Sequence, residues 1–539
     1  MLATLWVLDA HAGKSTVCTI TVNSPNEKET LRRALPEDKF QFVELVERGR
    51  PDWLASACRQ KLHCDVLVIS GHFDGGTEFY SDRLDARESL PVAELERASC
   101  SDSCSGLFSQ LKEVYLFGCN TLNAATPDST AAEVARSLVR SGYSRADAER
   151  VSHALNERHG ESNRDGMRRI FARVPVIYGF SAMAPLGASA APLLGRYLQS
   201  SAGSEFGSGR PSASLLAQFG ESAMTATAGL ADGDPRADYR REVCQFFDEQ
   251  RSPAQRLAFI RQILSRDMAE VRMFLDRIEA FYASLSEADR QGAAFGRERD
   301  QIAGDKATRD RYMAFARDVD RPEIRARMVH VALSLGWLTP EQEKIEISRM
   351  VGDLLARNAI GAGEVDLVCS LNKDRGLDGA LGRLELSPRQ EENIPDAALL
   401  ACLGSLEGRR RVLRALTARD DDAVEIARVY LRYHPIADVN ELRDVAARIA
   451  RMTESDAQVR ALDTLAHYYV SDRESLDELA RLFPRAKSVN VQRASAGVFI
   501  RSDYRALPRL ELARMLRLHR LKSPDGEDLI DVLIRRLQA

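Results

Sequence analysis

Long apolar runs are missing from this 539-residue sequence. No stretch reaches the roughly 20 residues that a membrane-spanning helix needs. An excess of either charge is missing too. Lys and Arg number 75, Asp and Glu 79, and the net charge of −4 makes no electrostatic case for nucleic acid or an anionic membrane. The basic cluster Arg409-Arg410-Arg411 reads as a solvated helix face. A basic leader is also absent: Met1 to Asp9 carries no Lys or Arg and its apolar run is broken at Asp9, so it reads as a strand rather than a signal peptide. Nine cysteines, an odd number without regular spacing, do not read as a disulfide framework. They fit a reducing compartment, and the expectation is a cytoplasmic protein.

Two cofactor motifs fall short in the same way. Gly13-Lys14-Ser15-Thr16 looks like the end of a phosphate-binding loop, but the Gly required five residues earlier is Leu8. The residues after it, Val17 to Val22, alternate like a strand rather than opening a helix. Cys100 and Cys104, with His63-Cys64 upstream, have loose spacing and no second paired motif, so they read as structural rather than as a metal site. No cofactor and no metal are expected.

What the chain does have is two apolar runs that end in chemically capable side chains. One is Asp65-Val66-Leu67-Val68-Ile69-Ser70-Gly71-His72. The other is Glu113-Val114-Tyr115-Leu116-Phe117-Gly118-Cys119. Short runs of this kind read as buried parallel strands. In an open α/β sheet, ligands bind beyond the carboxyl ends of the strands. A His and a Cys at two such ends face the same rim, and they meet if the strands are neighbours. An imidazole beside a thiol takes its proton and later returns it to a leaving amine. Gly71 and Gly118 let the backbone bend next to each side chain.

A His at a strand end, with a Cys at another strand end 47 residues on, resembles the caspase-like cysteine peptidases. The local words are most similar to the bacterial CHAT branch, in which a small residue precedes the Cys and Thr follows at the second position after it. Gly118-Cys119-Asn120-Thr121 matches. After the His, the family's later Gly stands as Gly76, while Phe73 replaces the Gly that directly follows the His. The resemblance covers roughly residues 1–230. It implies a catalytic dyad of His72 and Cys119, with an oxyanion hole from the backbone N–H groups of Phe73 and Cys119. No third catalytic acid is expected, and the nearness of Asp74 in sequence does not by itself make it the orienting group of the imidazole. The resemblance also implies that Phe117 helps line the pocket for the residue preceding the cleaved bond. Phe117, with Ser181 and Met183 after the next strand, makes that pocket uncharged and suited to an apolar residue. Asp9, at the end of the first strand, is the one residue that would turn the preference toward Arg or Lys.

Taken in order, Thr4–Ala10 and Val17–Val22 read as a hairpin and Phe40–Val46 as a strand. Pro51–His63 has helical spacing, and Gly75 to Leu84 is a polar loop. Val174 to Phe180 reads as a further strand. Ser200 to Ser214 is the most linker-like stretch, and Asp234-Pro235 signals a helix start. The domain boundary is therefore placed at 232/233. Residues 1–232 are expected to form an α/β caspase-like domain, a mostly parallel sheet flanked by helices. Residues 233–539 read as all-helical. Three similar pieces anchored on Val424, Val459 and Val491, separated by 35 and 32 residues, suggest an α-solenoid resembling HEAT-type repeats. Such a stack offers a concave surface for a protein substrate, activator or inhibitor.

Two functions follow. One is a cysteine endopeptidase whose helical half recruits a substrate or regulator; its bacterial relatives in fold often serve defence or programmed death. The other is a catalytically inactive scaffold or signalling adaptor on the same fold. The His72 and Cys119 pair favours the first, and Phe73 keeps the second open.

Overall fold

The computed structural model describes residues 14–45, 54–74, 76–81, 88–125, 134–136, 138–139, 142–159, 162–357, 360–379, 393–522 and 528–538. The strand expected at Thr4–Ala10 lies outside these residues. The chain divides into two compact units, Met1–Asp318 and Val319–Ala539.

The first unit is built on a six-stranded sheet of β1 (Ser15–Thr21), β2 (Phe40–Glu44), β3 (Val66–Ser70), β7 (Glu113–Phe117), β8 (Val176–Phe180) and β9 (Met224–Thr227). Their order is β2-β1-β3-β7-β8-β9. Every pairing is parallel except β8 with β9. Between β3 and β7 the chain makes a small antiparallel sheet of β4 (His72–Asp74), β5 (Glu78–Tyr80) and β6 (Ser89–Pro91).

Both faces of the large sheet are covered, which is why its strands read as continuous apolar runs. Val17, Val66, Val68, Tyr115 and Tyr178 point to one face, under α1 (Asn26–Ala34) and α4 (Gly187–Gln199), which bring Leu31, Leu35, Leu194 and Tyr197. Cys18, Leu67, Ile69, Val114 and Ile177 point to the other, under α2 (Val92–Cys100) and α3 (Asn163–Ile170) with Leu95, Met167 and Ile170. The alternation follows from the two-residue period of a strand.

The division between the units differs from the boundary expected at 232/233. Residues after 233 are fastened to the sheet-bearing unit by groups invisible to a composition argument. Cys244 of α5 (Ala237–Gln245) forms a disulfide with Cys100 of α2. Arg277 of α6 (Leu275–Ser284) makes two 2.9 Å bonds to the buried Glu96, which Arg169 also holds at 2.8 Å. Ser101 and Ser103 bind Glu249. The linker-like stretch is also structured. The N–H groups of Gly207 and Gly209 each donate to the buried Glu113 at 2.9 Å, anchoring the segment to the start of β7.

The expected absence of a disulfide framework is overturned. Cys18 pairs with Cys64, Cys58 with Cys104, Cys100 with Cys244 and Cys369 with Cys402. Three of these bridges join segments of the sheet-bearing unit that are distant in sequence, so no local spacing announced them. The odd count has a simple cause: eight cysteines pair, and Cys119 keeps a free thiol.

The second unit is all-helical among its described residues. Six helices stack in chain order: α7 (Ala362–Leu371), α8 (Ile394–Cys402), α9 (Asp421–Tyr433), α10 (Asp456–Leu465), α11 (Val489–Arg501) and α12 (Leu529–Gln538). Three arginines of the unit bond to carbonyls at similar separations. Arg485, Arg501 and Arg536 reach the carbonyls of Ala450, Ala466 and Ile500, at separations of 35, 35 and 36 residues. The fully buried Gln458 and Gln492 each donate to a carbonyl nine residues back, Ile449 and Phe483. These glutamines are 34 residues apart, and of the three expected anchors Val424 and Val491 are buried while Val459 is half-buried.

Candidate active site

The site is made by the register of β3 and β7. The two strands pair in parallel up to Ser70 opposite Phe117. The Gly71 N–H then donates to the Phe117 carbonyl at 3.1 Å, which extends the pairing past the strand ends. His72 and Cys119 each stand two residues beyond the last matched pair, and both line the same narrow cleft. The cleft opens beyond the carboxyl ends of β1, β3 and β7. That places it where the sheet order reverses between β1 and β3, the usual ligand position in an open α/β sheet.

Cys119 sits in a tight turn fixed from several sides. A Cβ on Gly118 would come within 2.7 Å of the Phe73 Cβ and 3.0 Å of the Gly71 carbonyl, so only glycine allows this approach of the two strand ends. Asn120 takes the left-handed conformation with φ of 58°, which Asn tolerates better than most residues. Its N–H donates to Ala182 at 2.8 Å, and its carbonyl accepts from the Asn163 side chain at 2.9 Å. The buried Thr121 hydroxyl donates to the Gly118 carbonyl at 3.2 Å and accepts from the Phe180 N–H at 3.0 Å, bracing the turn against β8. The Ala184 N–H donates to the Cys119 sulfur at 3.4 Å. Such a contact strengthens as negative charge builds on sulfur.

The half-buried His72 opens β4 and stacks its ring on Tyr80 of β5, centroids 5.4 Å apart at an interplanar angle of 30°. Phe73 turns its side chain away from the cleft into the core, against Phe79 at 4.7 Å. The chain direction at the His is therefore set by an aromatic anchor where the sequence pattern of the resembled family has Gly.

The residues expected to form a substrate pocket separate. Phe117 lines the cleft with His72 and Cys119. Ser181 is exposed and donates to the Ala223 carbonyl at 3.2 Å, and Met183 is 79 % exposed; neither lines the cleft. Asp9 and the side chain of Asp74 lie outside the described residues. In place of Ser181 and Met183, the segment Ala184 to Gly187 forms the wall.

Glu27 is the residue that the sequence reading missed. It lies in the first turn of α1, directly after β1, and lines the cleft although it is only 3 % exposed. Burial pushes its carboxyl above the usual range, against hydrogen bonds from its own backbone N–H and the Ser70 hydroxyl. Its Oε2 is buried without a hydrogen-bond partner.

Of the grouping His63, Cys64, Cys100 and Cys104, the three cysteines are each in a disulfide. Elsewhere, Cys369, Cys402 and His434 place ligand atoms within 4.8 Å of one another, with the two cysteines joined to each other. No family model, curated protein or solved structure matches this chain.

Proposed function

We propose that the chain is a cysteine endopeptidase acting through His72 and Cys119, as the resemblance to caspase-like peptidases implied. The observation that carries this reading is that the one free thiol among nine cysteines shares a cleft with an imidazole at the neighbouring strand end. His72 takes the Cys119 proton, and the sulfur attacks the scissile carbonyl. The backbone N–H groups of Phe73 and Cys119 hold the developing oxyanion. His72 returns its proton to the leaving amine, and water then releases the acyl group from sulfur. The helical unit, read as a HEAT-like solenoid with a period near 35 residues, recruits a protein substrate or regulator. The four disulfides favour an oxidising compartment over the cytoplasm expected from the cysteine pattern. No helix among the described residues is long and apolar enough to cross a membrane.

The test is cleavage of a proteome extract by the full chain with Cys119→Ala as control. Cleavage should vanish in that variant and fall by about 10²-fold or more in His72→Ala. Cleavage retained by Cys119→Ala would end the peptidase reading. A protein that cleaves nothing, and whose Cys119 reacts no faster than a solvent thiol, would be the scaffold instead.

A further inference from the structure

Glu27 is an expensive residue to keep where it is. A carboxylate removed from water costs several kcal/mol unless it is paired. Glu27 is almost wholly buried, and one of its oxygens has no partner. The nearby polar groups satisfy only part of it: its own N–H and the Ser70 hydroxyl. The fold even narrows the space around it. A Cβ on Gly187 would lie 3.1 Å from the Glu27 Oε1 and 2.8 Å from the Ser24 Cβ, so glycine lets the wall segment close over the carboxyl.

The position is as telling as the burial. Glu27 follows β1, His72 follows β3 and Cys119 follows β7, so three adjacent parallel strands deliver them to one rim. The first turn of a helix favours an anionic side chain. The rest of the lining is mixed: Asn23, Ser24 and Ser70 lie on the Glu27 side, while Phe117 and Ala184 to Leu186 give an apolar side for a methylene stem. A buried acid among uncharged polar groups, faced by an apolar side and beside a thiol, is the complement of a side chain with a thin apolar stem and a cationic tip.

We propose that Glu27 is the specificity-determining residue of the cleft, and that the chain cleaves after Lys or Arg. This rests on the peptidase reading of the same site. It replaces the expectation of an apolar preference, whose basis included Ser181 and Met183, residues that stand outside the cleft. The substrate cation supplies the missing partner of Oε2. A substrate Asp meets a like charge, and a substrate Leu leaves the carboxyl unpaired, so both are disfavoured.

The experiment uses the full chain and four peptidyl acyloxymethyl ketones that differ only in the residue next to the reactive group: Lys, Arg, Leu or Asp. The readout is the rate of adduct formation on Cys119, measured by mass spectrometry. The Lys or Arg probe should react about 10²-fold faster than the Leu probe, as expected when a buried charge finds its partner. Glu27→Gln should remove most of that ratio. The ratio is internal to each protein, so it does not depend on how much of the variant folds. Faster labelling by Leu or Asp in the parent protein, or an unchanged ratio in Glu27→Gln, overturns the assignment and leaves the peptidase reading standing. Failure of all four probes at Cys119, with iodoacetamide still reacting there, overturns both.

Discussion

At the scale of single residues, the site depends on how closely two strand ends approach. Gly118 is the contact point: any Cβ there meets the Phe73 Cβ and the Gly71 carbonyl rather than a flexible side-chain end. Gly118→Ala must therefore push the Cys119 turn away from the His72 strand. Crowding of this kind costs about 1–3 kcal/mol of stability. The effect on chemistry is larger, because a shift near 1 Å in a reacting group costs on the order of 10²-fold. Labelling of Cys119 by an activated peptide ketone should fall by that factor while the far-ultraviolet spectrum of the folded protein is kept. Parent-like labelling would show that this approach does not set the reactivity of Cys119. That His72 and Cys119 reach one cleft was legible in the sequence because each ends its own apolar run, so the signal is local. Glu27 was not. Its partners in the cleft are 45 and 92 residues away, and an acid in the first turn of a helix reads only as a good helix start.

At the scale of elements, the helices beyond the sheet are held by a buried polar cluster with a definite response to pH. Arg277 and Arg169 overcome desolvation and hold the Glu96 carboxyl down at about 2. Beside them His159 is buried edge-on against Tyr239 and Phe274, with ring centroids 4.4 and 5.7 Å away. Burial pushes its imidazole down to about 3, and the Arg158, Arg169, Arg266 and Arg277 charges add to that. Both folded values lie below the unfolded ones. The His159 contribution is fully present above the ordinary 6.5 and is lost as pH falls toward 3. The Glu96 contribution is lost between 4.5 and about 2. The melting temperature of the sheet-bearing unit should therefore begin to drop below pH 6.5 and fall more steeply below 4.5. His159→Phe keeps the aromatic packing and removes the titration, so it should flatten the first part of that fall. Identical pH slopes in parent and variant, measured calorimetrically, would show that His159 does not stay neutral in the fold. β1, β2, β3, β7, β8 and the helical character of the second half were legible from apolar periodicity, whereas β5 lies in the stretch read as a polar loop and β6 and β9 were not read. This cluster was not, because a sequence lists Glu96, Arg169 and Arg277 as ordinary charges among many.

At the scale of the whole molecule, the question is which stretch of chain carries the site as a folding unit. The composition break near Gly233 suggests one answer and the cross-links another. A chain ended after residue 233 loses Cys244, Glu249 and Arg277. Cys100 then has no partner, Ser101 and Ser103 lose their carboxylate, and Glu96 keeps only Arg169. The lost disulfide closes a separation of 144 residues, which chain entropy alone values at roughly 5 kcal/mol. Removing one partner of a buried ion pair adds about 3–5 kcal/mol. Together these are comparable to the entire stability of an ordinary domain, roughly 5–15 kcal/mol. A chain ended after Asp318 keeps all of these groups. Residues 1–318 should therefore be soluble, melt cooperatively under non-reducing conditions, and show one reactive thiol per chain, Cys119. Residues 1–233 should aggregate or melt far lower, and the unpaired Cys100 should raise the thiol count to two. A 1–233 fragment that matches the melting temperature of 1–318 would mean that the helices after 233 are passengers on the sheet, and that the site needs neither the Cys100–Cys244 bridge nor the Glu96 cluster.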